Sequence, residues 1–313
     1  MESQATIRTE AKPERLREVL LAGARQLIDA GIDTARLDAE ALMCHALGMG
    51  KAELYRDLDA ELKPEHERRF RELLRRRTRR EPIAYITGQK EFWSMDYRVT
   101  PDVLIPRPET ELLVEVALKR SKLCGGAAPV KILDLGTGSG AIAIALAKEL
   151  PAARIAAVDV STAALEVARR NSARHGVAGR IRFLHGNLFE PIAAKRQTFD
   201  LIVSNPPYIR SGELSDLSPE VRRWEPIAAL DGGIDGLDYY RRIIAEAHRY
   251  LEARGHIILE ISADMGNAVT DLFACAGCYA LAFTYQDYAG RDRVIATTKD
   301  LSSNFTKKGS NRG

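Results

Sequence analysis

The chain has 313 residues, 45% of them hydrophobic and 28% charged, which is enough apolar material for two domains with full cores. Its net charge of +3 is too mild to argue for nucleic acid by itself. No run of 18 apolar residues occurs, which argues against a helical membrane span. The polar stretch Met1–Pro13 lacks the apolar centre of a signal peptide, so the expected location is the cytoplasm.

Leu16, Val19, Leu20, Ala24, Leu27 and Ile28 recur at helical spacing, and Gly31 closes that stretch. Asp33 or Thr34 starts a second helix carrying Leu37, Ala41, Leu42 and Leu47. A third begins near Pro64 and carries Phe70, Leu73 and Leu74. Residues 1–81 therefore read as a small helical bundle. Eight arginines lie between Arg68 and Arg80, with Glu72 the single acid among them. They form either a solvated helix face or a surface for an acidic or RNA-bearing partner, and the sequence does not choose. Residues 82–110, rich in aromatics and prolines, read as a β-hairpin linker in which Trp93 and Tyr97 serve packing.

From Glu111 the pattern alternates, with strands expected near 130–135, 154–159, 181–185, 199–204, 256–261, 279–285 and 293–298. Such alternation implies a mostly parallel sheet covered on both faces, over residues 111–299. The first strand ends in Asp134-Leu135-Gly136-Thr137-Gly138-Ser139-Gly140, followed by the alanine-rich Ala141–Lys148. Glycines there permit positive φ and let a ligand approach the backbone. The G-x-G-x-G spacing differs from that of dinucleotide binders. The next strand ends in Asp159, whose carboxylate can accept both hydroxyls of a ribose, or else cap a helix that Ser161 or Thr162 can cap instead. Together these features point to a nucleoside site.

Asn205-Pro206-Pro207-Tyr208 follows the apolar run Phe199–Ser204. Two prolines without amide donors stop the ladder, leaving an Asn, two carbonyls and a ring at a strand end. That set either merely ends the strand or binds a planar group bearing an NH₂. In the second case the Asn oxygen and a proline carbonyl accept its hydrogens, and the ring packs on its face. Cys275-Ala276-Gly277-Cys278 lacks the second pair that structural zinc needs and stands at a helix end. We read it as small apolar residues at a helix-to-strand junction, with no metal. The composition of Leu301–Gly313 points to a disordered tail over 300–313.

The glycine turn, Asp159 and Asn205–Tyr208 resemble the S-adenosylmethionine-dependent methyltransferases acting on amino or amide nitrogen. Pro82–Gly88, Glu91-Phe92-Trp93, Leu104–Glu111 and Asp287–Arg293 narrow the resemblance to the protein-(glutamine-N5) methyltransferases of peptide chain release factors, from about Pro13 to about Thr298. The resemblance implies an α/β fold: a seven-stranded Rossmann-like methyltransferase domain, its last strand antiparallel, preceded by a small α-helical bundle that recognises the substrate. It implies S-adenosyl-L-methionine held by Asp134, Gly136, Thr137, Gly138, Ser139, Gly140, Asp159, Asn187, Leu188 and Asn205. It also implies that Asn205, Pro206, Pro207 and Tyr208 carry the reaction, and that the segment from Glu81 to about Thr110 lies over the active site, with Phe92 and Arg107–Thr110 facing the methyl-transfer region. Many relatives have Asp in place of Asn187, which still accepts through its amide oxygen, and an aromatic in place of the smaller Leu188. The expected substrate is the GGQ-motif glutamine of a class 1 release factor, met by a monomer without a membrane partner. Two other readings compete: an adenine-N6 methyltransferase on RNA or DNA, and a non-catalytic RNA-binding module.

Overall fold

In this computed structural model residues 15–124, 129–194 and 197–300 are described, so the expectation for the tail lies outside them. The chain divides into two compact units between Thr87 and Gly88.

The first unit is helical: α1 Leu16–Asp29, α2 Ala35–Leu47, α3 Lys51–Arg56, α4 Pro64–Thr78 and α5 Ile83–Thr87. Gly31 (φ +72°) turns the chain after α1, as its position suggests. Leu16, Val19, Leu20 and Leu27 of α1 pack against Ala39, Leu42 and Met43 of α2 and Phe70, Leu73 and Leu74 of α4. Ile28 and Leu37, expected in this core, are exposed. The phase of α2 instead turns Asp38 and Glu40 inward, where charge partners compensate their burial. Asp38 Oδ2 accepts from Arg77 Nε at 2.7 Å, with both side chains nearly buried. Glu40 meets Lys51 at 2.8 Å and the Tyr55 hydroxyl at 2.6 Å. Half of the arginine cluster therefore has a bonding partner within this unit, though Arg71 is exposed. Arg71 pairs with Glu67, Arg76 with Glu81 and Arg77 with Asp38, while Arg80 donates to the Gly31 carbonyl. Arg68, Arg69, Arg75 and Arg79 are exposed.

The second unit opens with the hairpin β1 Gln89–Phe92 and β2 Met95–Arg98, antiparallel. Its turn residues Trp93 (φ +54°) and Ser94 (φ +53°) are both left-handed without being glycine. Two carboxylates hold them: Glu111 accepts from the Trp93 amide at 2.7 Å and Glu91 from the Ser94 amide at 3.0 Å. The hairpin belongs to the core of this unit. Tyr97 is fully buried, edge-to-face with Phe92 at 5.9 Å, and Trp93 Nε1 donates to Glu149 at 2.8 Å.

After α6 Glu111–Ser121 come β3 Lys131–Leu135, α7 Ala141–Glu149, β4 Arg154–Asp159, α8 Thr162–Arg174, β5 Ile181–His185, α9 Glu190–Ala193 and β6 Phe199–Ser204. Then follow α10 Pro219–Trp224, α11 Asp238–Ala247, β7 Leu251–Glu260, α12 Gly266–Ala276, β8 Phe283–Gln286 and β9 Asp292–Thr298. The seven-stranded sheet has the order β5-β4-β3-β6-β7-β9-β8, with β9 antiparallel to both its neighbours. Alternate residues face opposite cores: Ile132, Leu201, Val203 and Ile258 meet α6 and α7, while Leu133, Ile202, Ile257 and Leu259 meet α11 and α12.

Two strands depart from expectation. β7 starts early at Leu251, but a register shift separates the Phe199–Leu251 pair from the Leu201–His256 pair, so continuous pairing starts at His256. β8 starts only at Phe283, because Tyr279 is anchored to helices. Its hydroxyl donates to the Ile244 carbonyl at 2.6 Å and its ring packs edge-on to Phe273. Gly277 (φ +63°) ends α12 as anticipated, leaving Cys275 exposed and both thiols free. Among the described residues no helix is long and apolar enough to cross a membrane.

The Asp38–Arg77 pair gives a stability test of the first unit. Asp38→Ala leaves a buried guanidinium without its carboxylate and should cost roughly 3–5 kcal/mol in urea unfolding. Substitution of exposed Arg68 by Ala should change stability by no more than about 0.5 kcal/mol.

Candidate active site

The first wall of the site is the turn between β3 and α7. Gly136, Gly138 and Gly140 have φ of +72°, +54° and +82°. They do different work. A Cβ on Gly136 or Gly138 would meet nothing within 4 Å, whereas one on Gly140 would press on Ile144 at 3.0 Å and on Ala168 at 3.1 Å. Gly140 therefore lets α7 and α8 approach each other, while Gly136 and Gly138 keep a cradle open at a cavity. Behind the turn, Thr137 Oγ1 donates to Asp134 Oδ2 at 2.6 Å. Asp134 is fully buried, and burial pushes its carboxyl up to about 7, the Asp159 charge acting in the same direction against the Thr137 and Ala143 hydrogen bonds.

Asp159 ends β4. Its Oδ2 accepts from the Gly138 amide at 2.8 Å and its Oδ1 from the Ser161 amide at 2.9 Å. The carboxylate thus clamps the glycine turn to the start of α8 and retains further lone pairs. Burial raises its pKa, opposed by those amides. Ser161 caps α8 by accepting from the Ala164 amide at 3.1 Å, which leaves Asp159 free of the capping role. The Gly186 amide donates to the Asp159 carbonyl at 3.0 Å, bringing Asn187 and Leu188 (φ +50°) to the same edge.

The other wall is built by β6. Ser204 Oγ donates to the Leu135 carbonyl at 2.7 Å, pinning the end of β6 to the end of β3. Asn205 follows at once, and its Nδ2 donates to Thr110 Oγ1 at 3.2 Å. With one N–H so used and the amide thereby oriented, the amide oxygen is the acceptor left to a ligand. The prolines send the chain onto the segment 230–236. The Ile209 amide bonds the Leu230 carbonyl and the Gly232 amide bonds the Ile209 carbonyl, at 2.9 and 2.8 Å. A Cβ on Gly232 would lie 2.8 Å from the Pro207 oxygen, and one on Gly236 would lie 2.5 Å from the Tyr208 oxygen.

Between these walls lies a cavity of about 400 Å³, within the range usual for small-molecule sites. Of the residues expected at the site, Gly136, Gly138, Asp159, Asn187, Leu188, Asn205, Pro206 and Pro207 line it. Asp134, Thr137, Ser139 and Gly140 do not; they brace the turn from behind. Phe92 is also elsewhere, because the tight Trp93–Ser94 turn phases it inward, where it is 1% exposed. Arg107 is spent on the fold: its Nη2 donates to buried Glu225 at 2.5 Å, and the Ile105 amide bonds the same carboxylate at 3.2 Å. Tyr208 was expected as the ring against a planar substrate. It is half-buried against the apolar core beside the glycine segment and does not line the cavity, whereas Tyr239 does. Pro101–Leu104 line the cavity too, in the segment that the resemblance lays over the active site, whereas the lining residues Pro226, Ala228 and Ala229 were missed by sequence reasoning. The one local signal was the run Asp231-Gly232-Gly233-Ile234-Asp235-Gly236.

The PrmC N-terminal domain family matches residues 18–88 and the Methyltransferase small domain family matches residues 109–218. The chain is 45% identical to a release factor glutamine methyltransferase of Geobacter sulfurreducens over 91% of this chain and 97% of that one. A second, of Moorella thermoacetica, is 43% identical over 90% and 97%. The chain belongs to the release factor glutamine methyltransferase family. In this family member the fold is also that of the hMettl16 catalytic domain solved with a MAT2A 3′UTR hairpin, at a TM-score of 0.51 and 15% identity over 64% of this chain and 74% of that one. At that identity only the fold is shared.

The buried Asp134 predicts an inverted pH dependence of stability. Its folded pKa of about 7 lies above the unfolded value of about 3.9. Between these values the folded chain keeps a proton that the unfolded chain has lost, so this contribution is largest at low pH and is lost as pH rises toward 7. Asp134→Asn should therefore flatten the fall of Tm between pH 5 and 7, measured by calorimetry; a curve parallel to the parent's would show that Asp134 is not the group responsible.

Proposed function

We propose that this enzyme methylates the side-chain nitrogen N5 of a glutamine, that of the GGQ motif, in a class 1 peptide chain release factor, with S-adenosyl-L-methionine as methyl donor. The observation that carries this reading is Asn205. Its NH₂ is committed to Thr110, which leaves a carbonyl oxygen in the wall of a cavity that also contains Gly136, Gly138 and Asp159. Gly136 and Gly138, with open space where a Cβ would stand, fit the methionine portion of the cofactor, and the Asp159 carboxylate fits its ribose hydroxyls. Leu188 and Val160 offer apolar walls to the adenine, and Asn187 an acceptor to its amino group.

When bound, S-adenosylmethionine supplies an electrophilic methyl group on a sulfonium. The chain's own residues have to present the nucleophile, and an amide nitrogen is a poor one because its lone pair is delocalised. Asn205 Oδ1 and the Pro206 carbonyl accept the two N–H groups of the glutamine. They fix its plane, turn its π face to the methyl and raise electron density on nitrogen. Orientation of this kind contributes roughly 7–11 kcal/mol, and acceptors that bind more tightly as the nitrogen becomes positive add to it. We take the enzyme to act in the cytoplasm as a monomer, with the helical unit before Gly88 recognising the release factor.

Two substitutions separate binding from chemistry. Asp159→Ala should weaken cofactor affinity at least about tenfold by calorimetry, because two hydrogen bonds to a charged group are lost. Asn205→Ala should lower the single-turnover rate of labelled methyl transfer to purified release factor by about 10²–10³ at saturating cofactor. A rate within about threefold of the parent would remove Asn205 from the mechanism. Transfer to rRNA or DNA with none to the release factor would favour adenine.

A further inference from the structure

Asn205 can present its oxygen to a substrate amide only if the side chain cannot turn over. A flipped amide would set NH₂ against NH₂, donor against donor. Thr110 is the partner that decides the matter, and it is buried at 5% exposure in the turn Pro108–Thr110 ahead of α6. A hydroxyl alone does not decide it, since the oxygen can accept from Asn205 Nδ2 or donate to Asn205 Oδ1 equally well. A second acceptor is needed to take the hydroxyl hydrogen.

Glu260 stands there. It ends β7, next to β6, where Ser204 pairs with Leu259, so that Asn205 and Glu260 are the next residues on adjacent strands. The Glu260 carboxyl is 1% exposed and is stabilised in its charged form by the Thr110 hydroxyl beside it. Its second oxygen, Oε2, has no hydrogen-bond partner among the described residues. Arg293 and Arg107 favour its charge while Glu109 and, above all, burial oppose it, and the balance lifts its pKa to about 7. A buried acid with one oxygen unsatisfied costs stability, and an apolar residue at this strand end would not. Arg293 and Arg107 offset only part of that cost, since the carboxyl is still raised by burial.

We infer that Thr110 and Glu260 are positioning residues for methyl transfer: Glu260 takes the Thr110 hydroxyl hydrogen, Thr110 turns a lone pair to Asn205 Nδ2, and the Asn205 oxygen is thereby the edge offered to the substrate. The role in turnover rests on the glutamine-methylation reading above; the orientation of Asn205 does not. Glu260→Gln keeps the shape but places an NH₂ near Thr110, which lets the hydroxyl donate toward Asn205 and undoes its orientation. Thr110→Val keeps the shape and deletes the relay. Thr110→Ser keeps the hydroxyl.

The test uses the full chain. In single-turnover transfer to purified release factor, Thr110→Val and Glu260→Gln should each lose about tenfold or more in rate, with cofactor affinity within about twofold of the parent, and Thr110→Ser should recover most of the loss. In an Asn205→Ala background the same two substitutions should cost less than about twofold, because the group they orient is gone. Equal losses in both backgrounds would mean a merely structural role, and no loss in the parent background would overturn the inference outright. An activity-independent reading is the side-chain NH₂ signal of Asn205 in ¹⁵N NMR. It should be protected from solvent exchange in the parent and in Thr110→Ser, and exposed in Thr110→Val. Protection in a parent that fails to methylate release factor would sink the functional reading and leave the orientation standing. An unprotected signal in an active parent would sink the orientation alone.

Discussion

The parallel pairing of β3 with β6 is the constraint on which the rest depends. Leu135 lies opposite Ser204 in that ladder, and the Ser204 hydroxyl closes on the Leu135 carbonyl. Strand order reverses at this point, β4 and β5 lying to one side and β7 to the other, so the crossover helices leave in opposite directions and a crevice opens at the carboxyl ends. The glycine turn leaves one strand there and Asn205 leaves the next. A slip of one residue in β6 would turn Asn205 to the other face of the sheet and exchange Leu201 and Val203 for Ile202 in the two cores. Packing of the apolar strands thus fixes the position of a polar side chain that contributes little to packing itself.

The acids around the crevice suit a positively charged ligand. Asp134 and Asp159 are buried close to one another, and burial raises the pKa of both. Apart from the amides and the hydroxyl that they accept from, they face an environment that disfavours their charge. A cation placed at the glycine turn offsets that cost, and the sulfonium and ammonium groups of the methyl donor are cations.

Much of this was legible in the sequence, and the gaps have physical causes. The sheet was legible because strands buried on both faces are written as continuous apolar runs, and the site ends of β3, β4 and β6 because Gly136, Asp159 and Asn205-Pro206 each interrupt such a run. What failed was phase and long-range pairing. Phe92 and Tyr208 are aromatic residues next to the right segments, but a two-residue turn and a pair of prolines set which way they point. Leu37 looked like core because leucine normally is; Asp38 and Glu40 took the inward positions because Arg77 and Lys51 neutralise them. The bonds from Thr110 to Asn205 and from Arg107 to Glu225 join residues far apart in sequence, and no local pattern encodes them.

Among the described residues that line the cavity, the ionisable side chains are Asp102, Asp159 and Tyr239; no His, Lys or Cys is among them. His256 lies in the same strand as Glu260, but burial pushes its pKa down to about 4, so it stays neutral at physiological pH. An amide N–H is far too weak an acid for the carboxylates present, whereas a methylated amide still carrying both hydrogens is a strong acid. The demand on the protein therefore falls on the step before, in which a delocalised lone pair must be aimed at a methyl group. Rigid acceptors meet that demand better than a base would. Asn205 is neutral and held from behind by Thr110, and it follows directly on a strand paired on both sides.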